Sequence, residues 1–248
     1  MTYRRNALLT VCCFLVCTMG LAQDAVPGEI LGRTMLIKIG NSFGTAFTID
    51  HKGKLYLVTA RHVVAGLPVS NATIQISRPT GWIDYHIRRI LFPPSNHADI
   101  AVLDTGEQAA QPYEIANMTD LGGPTFGQQV WFLGYPWGLH TRLKNGEIPF
   151  IKRGTMSAID TSDPRAVLLY IDGFNNPGFS GGPILYWDFS KHAYSIMGVV
   201  QGYRPDTAKV MVKGSPTDTG LLVNSGILIG YSIEHAIQAI ELGNQTQR

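Results

Sequence analysis

Twelve short segments rich in β-branched and aromatic residues, each bounded by Gly, Pro, Asn or Asp, constrain this chain more than any other feature. Six lie at residues 34–39, 44–49, 55–59, 73–77, 82–91 and 100–104, and six at 129–134, 148–159, 167–172, 182–186, 195–201 and 226–231. Asp50-His51-Lys52-Gly53 joins two of the first group as a hairpin turn. The stretch from 106 to 127 carries few strand signals. The expectation is an all-β fold of two six-stranded antiparallel barrels, over residues 30–112 and 128–243, joined by a linker at 113–127. A single sandwich is the alternative, but twelve strands divide more easily into two barrels. After Ser232 the period changes: Ile233, Ile237 and Ile240 recur at helical spacing, with Ser232 placed to cap the start and Gly243 the end. This predicts one short C-terminal helix packed on a barrel.

The chain has 248 residues, 45% of them hydrophobic, so it is long enough to build substantial cores. The first 22 residues stand apart. Arg4 and Arg5 precede an apolar run from Ala7 to Ala22, with small residues Gly20 and Ala22 near a cleavage point. This reads as a secretory signal peptide, implying a secreted or periplasmic mature chain; an uncleaved anchor is the alternative. All three cysteines, Cys12, Cys13 and Cys17, lie in that leader. The mature chain therefore has no disulfide, cysteine nucleophile or thiolate metal site. It also has 18 basic against 18 acidic residues and no basic stripe, which argues against a nucleic-acid partner. His86, His97 and His140 show no metal-ligand spacing, so no metal and no cofactor is expected.

Three segments carry chemistry. Thr59-Ala60-Arg61-His62-Val63 ends a strand in a histidine. Asp99-Ile100-Ala101-Val102-Leu103 opens a strand with an aspartate, and Asn176-Pro177-Gly178-Phe179-Ser180-Gly181-Gly182-Pro183 sets a serine among glycines. A serine hydroxyl needs a base to take its proton and backbone N–H groups to hold the oxyanion formed on attack. Glycines permit the tight turn that aims such donors, here the amides of Gly178 and Ser180. His62 is suited to act as the base, and Asp99 to fix its tautomer and stabilise the imidazolium. Asp104 competes for the carboxylate role, but Asp99 stands at the mouth of the apolar run and Asp104 at its far end. Each segment alone has a structural alternative: a glycine turn, a packing histidine, a strand-capping aspartate. Their order, His then Asp then Ser, makes the set specific.

With these motifs the chain resembles the trypsin-like peptidases of chymotrypsin fold. It is most similar to the bacterial HtrA/DegP-like protease domain, without a PDZ domain. The segments around His62, Asp99 and Ser180, and Leu133-Gly134-Tyr135-Pro136-Trp137-Gly138, carry the resemblance. It implies a chymotrypsin-like pair of barrels and a serine endopeptidase acting through an acyl-enzyme on protein or peptide substrates. Phe179 departs from the pattern, standing where the family usually has Asn or Asp. The resemblance also implies that Phe174, six residues before Ser180, and Gln201-Gly202-Tyr203 frame the substrate pocket. With no Asp at position 174, a small or apolar residue before the cut is expected. The polar insertion 204–225 reads as a plain surface loop, with a lid flanking the cleft as the alternative. A catalytically weak binding module on a protease fold is the competing reading. An esterase ranks lower, because its usual nucleophile elbow places His last.

Overall fold

The computed structural model of the protein describes residues 25–108, 124–143 and 146–245. After a short helix α1 (Gly28–Leu31), six strands form the front barrel: β1 (Thr34–Ile39), β2 (Ser42–His51), β3 (Lys54–Thr59), β4 (Ser70–Arg78), β5 (Gly81–Leu91) and β6 (Ala101–Gln108). They close in the order β1-β2-β3-β6-β5-β4. The rear barrel uses β7 (Gln129–Gly134), β10 (Phe150–Asp160), β11 (Leu168–Asp172), β12 (Pro183–Asp188), β13 (Ala193–Val212) and β14 (Ser215–Ser232), closed in the order β10-β11-β14-β13-β12-β7. Strands β8 (Thr141–Leu143) and β9 (Gly146–Ile148) form a separate small hairpin. Helix α2 (Glu234–Gln245) ends the described chain.

The strands alternate between two buried environments, which explains why several read as unbroken apolar runs. Leu57, Ala101 and Leu103 point into the front barrel with Ile37, Ile74 and Ile87. Their neighbours Tyr56, Val58, Ile100 and Val102 point outward and meet Trp131, Leu133 and Leu185 of the rear barrel. Val130 and Phe132 in turn fill the rear barrel. A period of two with both faces covered gives three cores, one inside each barrel and one between them. Ile233 just before α2, and Ala236, Ala239 and Ile240 on it, join the central core.

The turn after β2 matches its sequence signal. Lys52 and Gly53 both have positive φ, and Gly53 N donates to Asp50 Oδ1 at 3.0 Å. Three expectations need correction. The segment 148–159 is not one strand, because Pro149 interrupts it and separates β9 from β10; a proline has no N–H for the ladder. The insertion 204–225 is not a loop. It is a long arm in which β13 and β14 run on past the barrel, pairing Pro205 with Asn224, Thr207 with Leu222 and Val212 with Ser215. Lys213 and Gly214, both at positive φ, close its tip with the same chemistry as Lys52-Gly53. Finally, Gly243 lies within α2, which continues to Gln245. A Cβ there would sit 2.7 Å from Leu91, so this glycine lets the helix approach β5. Ser232 does hold the helix start: its Oγ accepts from Glu234 N at 3.3 Å. The leader and most of the expected linker lie outside the described residues. Among the described residues no helix is long and apolar enough to cross a membrane.

Candidate active site

Strand β3 ends at Thr59, and a 3₁₀ turn, Arg61–Val64, follows with His62 on it. Asp99, just before β6, holds that turn at three points. Its carbonyl accepts from Arg61 N at 3.2 Å, its Oδ1 from His62 N at 2.9 Å, and its Oδ2 lies 2.6 Å from His62 Nδ1. An ionised carboxylate only accepts, so Nδ1 carries a proton, and in the neutral ring Nε2 keeps its lone pair. The Asp99 side chain is 20% exposed and the imidazole 48%, so the acid is sheltered behind a ring that reaches solvent.

Asp104 has different partners. Its Oδ2 accepts from Arg88 at 2.7 Å and from Arg89 at 2.8 Å, and its Oδ1 accepts from Gly106 N at 3.0 Å. Burial pushes its pKa up, but the two guanidiniums and the amide outweigh this and hold it below the ordinary carboxylate range. It is a structural charge on the barrel wall.

Ser180 sits between β11 and β12 on a tight turn in which Phe179 N donates to Asn176 O at 3.2 Å. Pro177 O accepts from Trp137 N at 2.8 Å. In a trans peptide the carbonyl and the following N–H point in opposite directions, so this bond turns the Gly178 N–H away from Trp137. Gly178 has φ +102°, and any Cβ would collide with Tyr135 O, so only glycine fits. Among the described residues the Gly178 and Ser180 amides have no protein acceptor, whereas those of Phe179, Gly181 and Gly182 all do. The Ser180 hydroxyl donates to Gln201 O on β13 at 3.0 Å and makes no hydrogen bond to His62. Both residues line one cleft of about 280 Å³, His62 from the front barrel and Ser180 from the rear.

Phe179 is fully buried and stacks edge-on against Phe132, centroids 5.4 Å apart. The turn is thus anchored by an aromatic plug in the rear core, in place of a polar residue. Two further residues, absent from the sequence reading, also hold it. Thr45 on β2 reaches across from the front barrel. Its amide donates to Ser180 O at 2.9 Å, its hydroxyl donates to Gly178 O at 2.7 Å and accepts from Tyr135 N at 3.2 Å. Lys152 on β10 donates to Phe174 O at 2.7 Å and Asn176 Oδ1 at 2.6 Å, with its ammonium 5.4 Å from the Phe179 ring centre. Burial lowers its pKa. Thr45 belongs to an ordinary-looking strand and Lys152 to another, where it pairs with Phe132, so only the three-dimensional pairing marks them.

Of the expected pocket residues, Gln201, Gly202 and Tyr203 lie half-buried on β13, with Gln201 against Ser180. Phe174 has a 55% exposed side chain rather than a place in the core. His97 bridges the barrels, its Nδ1 2.7 Å from Asp163 Oδ2. No group of three His, Cys, Asp or Glu residues among those described is arranged to hold a metal. A cavity of about 430 Å³, lined by Phe126, Trp131, Trp187 and Phe189 among others, contains no ionisable or hydroxyl-nucleophile pair.

Similar proteins share this framework. The Arabidopsis thaliana Protease Do-like 1, chloroplastic, is 26% identical over 170 residues, covering 68% of this chain and 35% of that protein. The Bacillus subtilis Serine protease Do-like HtrA is 26% identical over 151 residues, 60% and 31% of the two chains. The chain thus spans about a third of the length of these relatives. Among solved structures, Rv3671c from M. tuberculosis H37Rv in an inactive form superposes with TM-score 0.53 at 17% identity, over 89% of this chain and 90% of that one. The serine endoprotease from Yersinia pestis gives 0.54 at 18%, over 88% and 67%. At such identities these structures speak for the fold. Residues 44–188 match the trypsin-like peptidase domain, and the chain belongs to that family.

Proposed function

We propose that the protein is a serine endopeptidase in which Ser180 attacks the substrate carbonyl, His62 takes and returns the proton, and Asp99 steadies the imidazole. The observation that carries this reading is the Asp99–His62 pair at 2.6 Å, opening on the cleft that Ser180 shares. An Nδ1–H held by a carboxylate leaves Nε2 as the only basic nitrogen, which is what a hydroxyl nucleophile requires. Attack requires the Ser180 hydroxyl to leave Gln201 O and turn toward His62, a change of rotamer. The tetrahedral oxyanion would be held by the free amides of Gly178 and Ser180. The leaving amine takes the proton from His62, and water then releases the acyl group by the same route. The two barrels, 30–112 and 128–243, act as one unit, since each supplies only part of this set. Gln201, Gly202 and Tyr203 bind the chain before the cut, with Phe174 at the pocket's edge and a small or apolar residue preferred. The mature chain works outside the cytoplasm after its leader is removed, on protein or peptide substrates and without a cofactor.

The serine's bond to Gln201 O is the one feature that favours a second reading, a binding module on a protease fold. Mass spectrometry of an unfolded protein incubated with the chain separates the two. Discrete cleavage products are expected from the native chain, and none from Ser180→Ala at equal thermal stability. Equal cleavage by both would remove Ser180 from the mechanism.

A further inference from the structure

The wall of the cleft on His62's side belongs to the front barrel, where Ile39, Phe43 and Val63 line it with His62 and Ser180. Its rim is aromatic and exposed. Phe43 is 43% and Trp82 38% accessible, with ring centres 5.8 Å apart and planes tilted by 35°. The ammonium of Lys38 lies 5.9 Å from the Phe43 ring centre and 5.7 Å from that of Trp82. The strands build this grouping directly. Lys38 on β1 pairs with Phe43 on β2 and with Gln75 on β4, Gln75 pairs with Asp84 on β5, and Trp82 stands two residues before Asp84 on the same face. The Asp84 carboxylate accepts from the Gln75 amide at 3.0 Å. Among the described residues Lys38 makes no ion pair. Two large exposed rings beside a reactive cleft, crossed by a cation without a carboxylate, are poorly explained by folding alone.

The chemistry says what lies against that wall. The acyl half of a substrate stays on Ser180, in the rear barrel. The other half departs with a proton from His62, so it must lie on the front-barrel side. We propose that Phe43, Trp82 and Lys38 form the subsite for the segment following the cut, and that this subsite takes an aromatic or large apolar side chain with a carboxylate next to it. An aromatic side chain completes the tilted stack, and the carboxylate meets the Lys38 ammonium. This inference rests on the endopeptidase reading above and adds to it a preference on the leaving side.

Four quenched fluorescent peptides, identical up to the cut and carrying Phe-Asp, Ala-Asp, Phe-Lys or Ala-Lys shortly after it, test the inference. The native chain is expected to cleave Phe-Asp with a kcat/KM about tenfold above Ala-Asp and above Phe-Lys. Lys38→Glu should reverse the ratio of Phe-Asp to Phe-Lys, and Trp82→Ala should bring the ratio of Phe-Asp to Ala-Asp toward one. Ratios within a variant are insensitive to how much of it is active. Hydrolysis of a small acyl ester by the native chain reports the acyl-enzyme chemistry separately. Intact ester hydrolysis with equal rates on all four peptides, or an unreversed charge preference in Lys38→Glu, would overturn the subsite alone. Absence of both ester and peptide hydrolysis would overturn the endopeptidase reading and the subsite with it.

Discussion

At the scale of single residues, the site is held by groups that never touch a reacting atom. Thr45 is fully buried, and its hydroxyl satisfies both Gly178 O and Tyr135 N, so it ties the front barrel to the turn that carries the proposed oxyanion donors. Thr45→Val keeps the shape of the side chain but strands a part-buried acceptor and a buried donor. The expected cost is about 2–3 kcal/mol in urea unfolding, with a fall in kcat and little change in KM. A neutral effect on both would mean that the hydroxyl holds nothing. The proposed triad of His62, Asp99 and Ser180 is legible in the sequence because each residue stands in a short motif and the three come in the order His, Asp, Ser. Thr45 was not, because a threonine inside a β-branched strand carries no signal until the second barrel is set against it. The orientation of the Ser180 hydroxyl was equally hidden, since a rotor answers to its nearest acceptor, here Gln201 O.

Among the elements, eleven of the twelve strand segments were legible because turn residues bound them and their composition favours an extended chain. Pro149 broke the twelfth. The arm is hidden in the sequence because a polar segment without alternation reads as loop. A hairpin that covers nothing with either face needs no alternation, and its one local sign is the Lys213-Gly214 pair, the counterpart of Lys52-Gly53. Leu222, 79% exposed, shows how little the arm buries. A two-stranded hairpin without a covered face is marginal, so its amides should exchange with solvent well before those of the barrels. Gly214→Val places a β-branched residue at φ +82°, which should speed exchange across residues 205–224. The thermal midpoint of the barrels should stay the same. A lowered midpoint would show that the arm supports the barrel it extends.

On the scale of the whole molecule, stability and chemistry are drawn from the same packing. The central core joins the barrels and fixes the cleft, while Asp104 with Arg88 and Arg89 braces the front barrel wall. Since the folded pKa of Asp104 is depressed, its contribution is present in full above the ordinary carboxylate range and is lost as the pH falls below it. Asp104→Ala removes a nearly inaccessible carboxylate from two guanidiniums that keep some contact with solvent, Arg88 more than Arg89, at a cost of about 2 kcal/mol near neutral pH. That cost should shrink in acid, and a cost independent of pH would contradict the assignment. The central claim, that the paired barrels turn Ser180 into a nucleophile, is tested most directly by intact and peptide mass after treatment with diisopropyl fluorophosphate. One phosphoryl adduct is expected, on Ser180, and none in His62→Ala. A folded native chain that stays unlabelled, or takes the adduct on another residue, would contradict it.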